Sequence, residues 1–408
     1  MRALDDHATL LHAAARLGYE RIVELLLQRK APVNIKDIHL RTPLCWAASG
    51  NNANLVRLLL ARGASITIKD EDGNTPLLIA AKSQQVESAK ALLEHKAKLT
   101  VTDNEGMTPL HMASVSGCAD LVKLFVQGHG ASVNVKDKVG NTALHHAETP
   151  EVVDILMQGK AKTEVKNKFH QAPLHIMAMN DHAKAAEMLI RRGAAVDVWD
   201  HEKVTPLMRA VFDNKPNMVE VFLRCGASAT YKITKEKYTP LHLAAEQGAT
   251  AVITKILDSA SWERVNIDIR DAQNETPLYY ATKHKKNDAA RLLIDRGAWL
   301  DPTTKDVRNA GGTPLLVAAS DGNWELVRLL CEKGANVHAK AIKTGITALH
   351  CTASQGNLEI TKLLISKGTS VHHPDSDGFS ALIHAEIRAP TKEVARYRTC
   401  KNSMLVPR

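Results

Sequence analysis

The sequence predicts an all-helical repeat protein, a solenoid of helix-turn-helix units with short β-hairpin fingers between them. Three observations predict it: a period near 33 residues, a Thr-Pro pair opening most units, and apolar stripes spaced for helices. The units begin at Thr9, Thr42, Thr75, Thr108, Thr142, Ala172, Thr205, Thr239, Thr276, Thr313, Thr347 and Ser380. The intervals are 33, 33, 33, 34, 30, 33, 34, 37, 37, 34 and 33 residues, which predicts twelve units with the last truncated.

The first helix of each unit is predicted from its opening residues. Threonine can cap a helix through its hydroxyl, and proline fits the first helical position, where its missing N–H costs nothing. The segments that follow, such as "PLLIAAK" at 76–82 and "PLLVAAS" at 314–320, are short and rich in alanine. We therefore expect the first helices of neighbouring units to approach each other closely.

The second helix carries an apolar stripe with charges on the opposite face, as in "NLVRLLLARG" at 54–63. Its end is expected to need a left-handed residue, which glycine supplies without strain. The glycines at this place are Gly63, Gly193, Gly226, Gly297, Gly334 and Gly368. Lys30, Lys96 and Lys160 stand there in three other units, at an expected cost of about 1 kcal/mol each.

The fingers follow the second helices. "VNIKD" at 33–37 and "VNVKD" at 133–137 alternate apolar and polar residues, which predicts short strands, and the aspartate fits a hairpin turn. One unit cannot bury its own apolar face, so we expect the units to stack into one continuous core with contacts between neighbours.

Two segments repeat most closely, "TPLHMAS" at 108–114 and "TPLHLAAEQG" at 239–248. Their T-P-L-H-x-A core, with its period near 33, resembles the ankyrin-repeat family over residues 5–400. The resemblance implies an ankyrin solenoid in which the histidine bonds to neighbouring backbone and supports the stack. These histidines are His12, His111, His145, His175, His242 and His350.

The fifth unit is too short: Thr142 to Val153 is eleven steps, against fourteen for the same interval in the preceding unit. We expect the missing residues to be the last turn of the first helix and its closing turn, with Thr149 and Pro150 starting the second helix. Because solenoid curvature comes from small rotations per repeat, the deletion predicts a kink near residue 150.

The kink divides the chain into an N-terminal ankyrin arm, residues 1–165 with units one to five, and a C-terminal ankyrin arm, residues 166–402 with units six to twelve. Residues 403–408 end in "LVPR", which resembles half of a thrombin site and is interpreted as an expression-tag remnant. "RIVELLLQR" at 21–29 is apolar enough to stack on something before it, so we expect a fragment of a longer protein or a cap in the first residues.

Composition and charge exclude several classes of protein. The net charge is +9, of which +7 lies in residues 205–408 and +5 from residue 388 onward, so the excess is a tail and not a groove that could track phosphates. No apolar run approaches the ~18 residues of a membrane span, and "MRALDDHATL" lacks a signal peptide. Six scattered cysteines without a C-x-x-C pair favour a reducing, intracellular compartment, cytoplasmic or nuclear.

No motif predicts catalysis, a cofactor or a metal site. The adjacent pairs His145–His146 and His372–His373 lack cysteine or carboxylate at zinc-ligand spacing, and "HEKVT" at 201–205 lacks the second histidine of a zincin. The glycines of "QGHGAS" at 127–132 are better interpreted as a one-residue insertion at a helix end. We therefore expect a non-enzyme without cofactor or metal.

Aromatic residues give the most informative asymmetry. Of sixteen, three precede residue 169 and eleven lie between Phe169 and Trp324, where lengthened fingers also occur. The resemblance implies a concave binding side lined by the finger tips and the C-terminal ends of the first helices, and surface rings often anchor partners. We interpret Phe222, Tyr279 and Tyr280 instead as core fillers.

We expect a partner on units six to ten. The predicted aromatic and apolar anchors are Phe169, Trp199, Val204, Phe212, Tyr238 and Trp299. The predicted polar contacts are Glu202, Lys235, Glu236, Gln247, His284 and Arg308. The competing hypothesis places the ligand on the regular N-terminal arm, at the fingers with Arg41, Asp72, Asn104 and Met107.

The sequence thus favours a scaffold or adaptor that binds another protein, or an extended peptide segment, along the concave face. The alternative is a regulatory or substrate-recruiting module, host-directed in one version, that acts through an enzyme elsewhere in a larger chain or complex. Nucleic-acid binding rests only on the basic tail and is disfavoured.

Overall fold

The computed structural model describes residues 9–50, 52–232, 237–259, 265–304 and 312–388. The chain forms two compact units, divided between Ala210 and Val211. Both are built from helix pairs, as the repeat pattern predicts, and the all-helical repeat fold is confirmed.

In the first unit the α-helices are α1 (Leu10–Leu17), α2 (Glu20–Gln28), α3 (Pro43–Ser49), α4 (Ala53–Ala61), α5 (Pro76–Lys82), α6 (Val86–Glu94), α7 (Pro109–Val115), α8 (Ala119–Lys123), α9 (Pro150–Gln158), α10 (Pro173–Asn180) and α11 (Ala183–Arg191). Helix α12 (Pro206–Phe212) crosses the division. In the second unit they are α13 (Pro216–Arg224), α14 (Pro240–Gln247), α15 (Thr250–Leu257), α16 (Pro277–Lys283), α17 (Asn287–Asp295), α18 (Pro314–Ser320), α19 (Trp324–Glu332), α20 (Ala348–Ser354), α21 (Leu358–Ser366) and α22 (Ala381–Arg388). In the described parts of the chain, none of the helices has the length and apolarity needed to cross a membrane.

The helix starts follow the predicted chemistry. Thr42 has extended backbone angles, and its hydroxyl accepts a hydrogen bond from the Cys45 N–H at 3.4 Å, while Pro43 occupies the first helical position. The second helices use other caps: the Asn52 side chain accepts from the Leu55 N–H at 3.1 Å. Each cap satisfies an N–H that the helix itself leaves unpaired.

The helix ends also agree with the sequence. Gly63 follows α4 with a φ of 84°. Lys30, Lys96 and Lys160 adopt φ values of 62°, 66° and 63° at the equivalent place, so the left-handed residue is kept even where it is not glycine.

The core of each unit runs between the helix pairs. In the first unit α3 packs on α5, α5 on α7, and α4 on α6, so first helices contact first helices and second helices contact second helices. In the second unit α14 packs on α16, and α16 on α18. The buried side chains are mainly alanine, leucine and valine, and the few large rings among them, Phe125, Phe222 and Tyr279, are wholly enclosed.

The six T-P-L-H-type histidines join neighbouring repeats, as predicted. In each, Nδ1 accepts from the backbone N–H of the cap residue, so the ring proton is on Nε2, which donates to a backbone carbonyl of the next repeat. The Nε2–O pairs are His12 to Arg41 (3.0 Å), His111 to Asn141 (3.2 Å), His145 to Gln171 (3.2 Å), His175 to Val204 (3.0 Å), His242 to Glu275 (3.1 Å) and His350 to Phe379 (3.2 Å).

The prediction of short strands in the fingers is wrong. Within the ranges that the structure describes, no strand forms, and the bridge that joins two described residues is an isolated antiparallel one between Lys340 and Thr347. The finger aspartate makes a tight turn instead: the Asp37 carboxylate accepts from the N–H groups of His39 and Arg41 at 3.0 and 2.8 Å.

Neighbouring fingers share too few backbone bonds to form a ladder. Glu71 donates its N–H to the His39 carbonyl at 3.1 Å, and Asn104 donates to the Asp72 carbonyl at 2.9 Å. The alternating apolar residues of the fingers therefore pack as a stack of turns. This arrangement needs the same spacing of apolar residues as a strand, but it does not need the backbone hydrogen bonds of a sheet.

The fifth repeat loses its first helix almost entirely. Residues 143–146 form a single turn, with His145 N–H donating to the Thr142 carbonyl at 2.9 Å. The second helix starts where predicted, since the Thr149 hydroxyl accepts from the Val152 N–H at 3.3 Å and Pro150 is the first helical residue. The kink stays a prediction; restoring three residues after Ala147 and recording small-angle scattering would test it.

The one-residue insertion before the fifth repeat is absorbed by a π-helix, Leu124–Gly128, that continues α8. The Ala131 N–H reaches back to the Phe125 carbonyl at 2.8 Å, and Phe125 is fully buried. The interpretation of "QGHGAS" as an insertion at a helix end is thus confirmed.

Candidate functional site

A recurring side-chain pair links each of five fingers to the first helix that follows it or, in the fifth repeat, to the turn that replaces that helix. The finger aspartate, five residues before the cap, accepts a hydrogen bond from the residue four after the cap. The pairs are Asp37–Trp46 (2.9 Å), Asp137–His146 (2.9 Å), Asp200–Arg209 (3.2 Å), Asp271–Tyr280 (3.0 Å) and Asp375–His384 (2.8 Å). The donor is a tryptophan, an arginine, a tyrosine or, in two repeats, a histidine, so the side chain at this position varies while the aspartate is kept.

The carboxylates of these pairs are held ionised where a shift is resolved. Burial alone would raise the pKa of the Asp37 carboxyl, but hydrogen bonds from the Arg41 N–H and from Trp46 outweigh it and lower the pKa below its ordinary value. The pKa of Asp137 is lowered in the same way, against burial, by the bond to His146 and by the Asn141 N–H.

The second unit concentrates aromatic and charged groups in one cluster, formed by Tyr238, His242, Glu246, Tyr280 and His284. We call it the Tyr–His cluster. The ring centroids of Tyr238 and Tyr280 lie 5.2 Å apart, edge to face, and Tyr280 stacks on His284 at 6.2 Å with planes 4° apart. Glu246 connects the first and last residues of the cluster. Its carboxylate accepts a hydrogen bond from the Tyr238 hydroxyl and lies 3.4 Å from His284 Nε2.

Burial and nearby carboxylates keep both phenols protonated. The pKa of Tyr238 is raised by burial first and then by the bond to Glu246, and that of Tyr280 by burial and then by Asp271. Burial also lowers the pKa of His242. The hydroxyls therefore act as hydrogen-bond donors, and the cluster offers stacking surface and polar contacts rather than an acid–base pair.

An ion pair between the buried Glu275 and the partly buried Lys283 lies next to the cluster. Glu275 lies 3.3 Å from the Lys283 ammonium and accepts from the Thr304 hydroxyl at 3.1 Å, while burial raises the pKa of its carboxyl. Lys283 also lies over the Tyr280 ring at 5.8 Å from its centroid. These contacts fix the orientation of Tyr280.

Several predicted contact residues meet at this cluster. Tyr238 and His284 are members, and Gln247 follows Glu246 on α14 and donates from its side chain to the Phe212 carbonyl at 3.0 Å. The Phe212 ring is 49% exposed, so the cluster continues into an open aromatic surface. Its members thus combine a fixed interior with exposed edges.

Trp299 lies at another place in the second unit. Its ring is 46% exposed, and the Arg270 guanidinium lies 5.3 Å from the ring centroid. The backbone N–H of Trp299 donates to the Asp268 carboxylate at 2.9 Å, which holds the finger in position. Lys235, Glu236 and Arg308 lie outside the described residues.

The remaining predicted residues belong to the first unit. Phe169 and Trp199 are 56% and 50% exposed on the fingers of the sixth and seventh repeats. These fingers are joined, because His201, beside the exposed Glu202, lies 3.1 Å from the Phe169 carbonyl. Val204 is only 5% exposed: its side chain lies in the core and its carbonyl accepts from His175.

The interpretation of Phe222, Tyr279 and Tyr280 as core fillers is confirmed for the first two and wrong for Tyr280. That ring is half-buried at the position four after the cap and belongs to the Tyr–His cluster. The role of Tyr280 could have been found from the recurrence of aspartate nine residues before a side chain able to donate, here Asp271. Glu246 was not predicted, and it lies outside that pattern.

Within the described ranges, no group of three or more histidine, cysteine or carboxylate side chains is arranged to hold a metal ion. The cysteines Cys45, Cys118, Cys225, Cys331 and Cys351 are free thiols. Burial raises the pKa of Cys331 and of Cys351 to about 11, so neither is a poised nucleophile.

Comparison with known proteins finds relatives along most of the chain. The family model for ankyrin repeats (3 copies) matches residues 11–103, 54–137, 97–162, 147–233, 214–306, 241–341 and 315–397. The B-cell lymphoma 3 protein homolog of Mus musculus is 32% identical over 182 residues, which are 44% of this chain and 40% of that protein. The E3 ubiquitin-protein ligase KEG of Arabidopsis thaliana is 27% identical over 243 residues, 56% of this chain and 15% of the ligase.

A crystal structure of the ankyrin repeat domain of Bcl-3, a member of the IkappaB protein family, matches with a TM-score of 0.49 and 26% identity. The match covers 56% of this chain and 98% of that domain. The chain spans less than half the length of the two curated relatives.

Proposed function

Because the chain belongs to the ankyrin-repeat family, whose repeats form protein-interaction modules, we propose that it is an adaptor that binds a partner protein through its second unit. The observation that carries this proposal is the Tyr–His cluster with the exposed Phe212 ring beside it. Aromatic groups held in place by their neighbours bind with little loss of side-chain entropy.

The partner is proposed to be an extended segment of another protein. Such a segment would lay an apolar or aromatic side chain against Phe212 and accept hydrogen bonds near Tyr238 and His284, with Trp299 as a further anchor. Lys235, Glu236, Gln247 and Arg308 complete the proposed contact set of the second unit. Phe169, Trp199 and Glu202 are proposed as separate contacts on the first unit. Val204 would contribute only through its backbone.

Capture of partners from a lysate with the full chain, identified by mass spectrometry, would supply the ligand for the test. Replacing Phe212 and Tyr238 together with alanine should weaken binding of that partner at least ~30-fold by calorimetry, with helical content unchanged. The matched control is Tyr19→Ala, which removes a similarly exposed ring (52%) from the first unit, outside the proposed contact set, and should leave the affinity within about threefold. Loss of binding in the control but not in the double variant would move the site to the first unit.

An alternative proposal is a recruiting module for an enzyme elsewhere in a larger chain or complex, regulatory or host-directed. The ubiquitin ligase among the relatives favours it, since the aligned part is a minor segment of that enzyme. In this case a modifying enzyme should co-purify with the captured partner, and the partner should be modified only when the Phe212 surface is intact.

We further propose that the chain acts in a reducing compartment, cytoplasm or nucleus, without cofactor or catalysis of its own. Its five described free thiols fit that setting. Nucleic-acid binding is disfavoured, and it would show itself as affinity that falls steeply with salt.

A further inference from the structure

A cleft of about 380 Å³ in the first unit is lined by residues of the first three repeats. It lies outside the surface on which the proposed function rests. Its lining includes Arg16, Arg41, Trp46, Asp72, Asn74 and Ile79. The third repeat, which supplies the last three of these, departs from the pairing seen in five other repeats.

The departure leaves the finger aspartate of the third repeat without its usual donor. Ile79 occupies the position four after the cap and has no hydrogen to donate. Asn74 replaces it: its N–H and its Nδ2 donate to the two oxygens of the Asp70 carboxylate at 2.7 and 3.2 Å.

This replacement leaves an acceptor unsatisfied. The Asn74 side chain is 3% exposed, and its Oδ1 has no hydrogen-bond partner. The Nδ2 bond to a carboxylate determines which end of the amide is the oxygen. A buried acceptor without a donor is unfavourable, so a donor that reaches it gains more than the same donor would in water.

The charges around the cleft differ in how far they are compensated. The Arg41 guanidinium lies 4.8 Å from the Trp46 ring centroid and donates to the buried Asp37 carboxylate at 2.9 Å. Arg16 lies 5.5 Å from the same ring centroid; Arg16 and Lys82 are exposed, so salt screens them. Asp72 is exposed on the finger beside Asn74 and is screened too, but unlike Asp37 it forms no ion pair among the described residues.

We propose that this cleft binds a cationic side chain, arginine or lysine, of an extended partner segment. Asp72 attracts the cation at the entrance and Asn74 Oδ1 accepts a hydrogen bond inside. The oxygen is closed to water in the free protein, so the lining side chains shift slightly as the cation enters. Ile79 and Trp46 pack against the aliphatic stem.

The test uses the full chain and two small probes, N-acetyl-arginine amide and its uncharged isostere N-acetyl-citrulline amide. The indole N–H of Trp46, assigned among the five tryptophans with a Trp46→Phe variant, is followed by NMR. The arginine probe should shift it saturably below about 20 mM, and citrulline should not.

Two variants separate the acceptors from general charge. Asp72→Asn should weaken the arginine probe about threefold, whereas the matched control Glu105→Gln, the same finger position one repeat later, should leave it unchanged. Asn74→Leu should weaken it about tenfold, with thermal unfolding recorded to show that the repeat is intact.

The proposal would be overturned by the absence of a saturable Trp46 shift with arginine, by equal shifts with citrulline, or by equal affinities of Asp72→Asn and Glu105→Gln. Since the readout is on Trp46, failure here leaves the Phe212 surface untouched as a hypothesis.

Discussion

The third and fourth repeats open with the same Thr-Pro cap but differ at the third helical position, which is Leu78 in one and His111 in the other. In the fourth repeat the Thr108 hydroxyl lies 2.8 Å from His111 Nδ1, and Nε2 bonds to the next repeat. In the third repeat the Thr75 hydroxyl is buried and has no partner. The same contrast recurs in the tenth repeat, where Thr313 also precedes a leucine and is unpaired.

The difference shows that the same threonine cap can be followed by histidine or by leucine, with different consequences for its hydroxyl. Histidine connects the cap to the next repeat and places a polar group in the core that must stay neutral. Leucine fills the same volume with apolar atoms and leaves the hydroxyl unsatisfied, a cost that packing has to offset. The array therefore contains both polar junctions, which specify register, and apolar junctions, which supply stability.

Removing the histidine should give the largest effect. His111→Ala creates a cavity, leaves the Thr108 N–H without its acceptor and removes one of the two donors to the Asn141 carbonyl, so we expect a loss of about 3 to 4 kcal/mol in the free energy of unfolding. His111→Leu, which imitates the third repeat, should lose only about half of that. Urea denaturation followed by circular dichroism would measure both, and equal losses would mean that the polar junction, not the cavity, decides the cost.

The second-largest effect should come from acid, which should destabilise the histidine junctions more than the leucine junctions. Burial lowers the pKa of His145 to about 4 from its ordinary value of 6.5, so the unfolded chain binds a proton before the folded one does. The stabilisation is complete above pH 6.5 and is lost as the pH falls from 6.5 to about 4, about 3 kcal/mol in total.

Hydrogen exchange between pH 7 and 4.5 would locate this effect. Amides of α9, beside the fifth-repeat junction, should lose protection as the pH falls, after correction for the intrinsic exchange rate. Amides of α5 in the third repeat, whose own cap has no histidine, should change less. Uniform loss across both helices would contradict a junction-specific origin.

The smallest expected effect is that of replacing the cap threonine with valine, and its sign should differ between the third and fourth repeats. Thr75→Val removes a buried hydroxyl without a partner and should stabilise the protein by up to about 1 kcal/mol. Thr108→Val removes a paired cap and should destabilise it by about 1 kcal/mol. Melting temperatures of the two variants suffice, and a shift in the same direction for both would disprove the comparison.

The local chemistry of the repeats could be predicted because it depends on residues close in sequence. A cap needs only its own helix, and a left-handed end needs only one residue that tolerates positive φ, as Lys30 and Lys96 do. The prediction of strands was wrong because it also used only local sequence. Alternating apolar and polar residues fit a strand and a stacked turn equally well, and the contacts between neighbouring fingers decide how many backbone hydrogen bonds form.

The candidate site was predictable only in part. Phe169, Trp199, Phe212 and Trp299 are exposed as expected, because their positions relative to the caps place them on fingers or helix ends. The same rule was wrong for Val204. This residue directly precedes the cap Thr205, and its side chain lies in the core.

The sequence by itself determined the repeat, its caps, its register and the histidine junctions, since each follows from spacings within about one period. Only the tertiary structure decided that Tyr280 stacks between Tyr238 and His284, and that Asn74 keeps an unpaired oxygen. Those contacts join residues of different repeats or depend on a missing donor. Their geometry depends on how neighbouring repeats pack on each other, and the sequence of a single repeat does not contain that information.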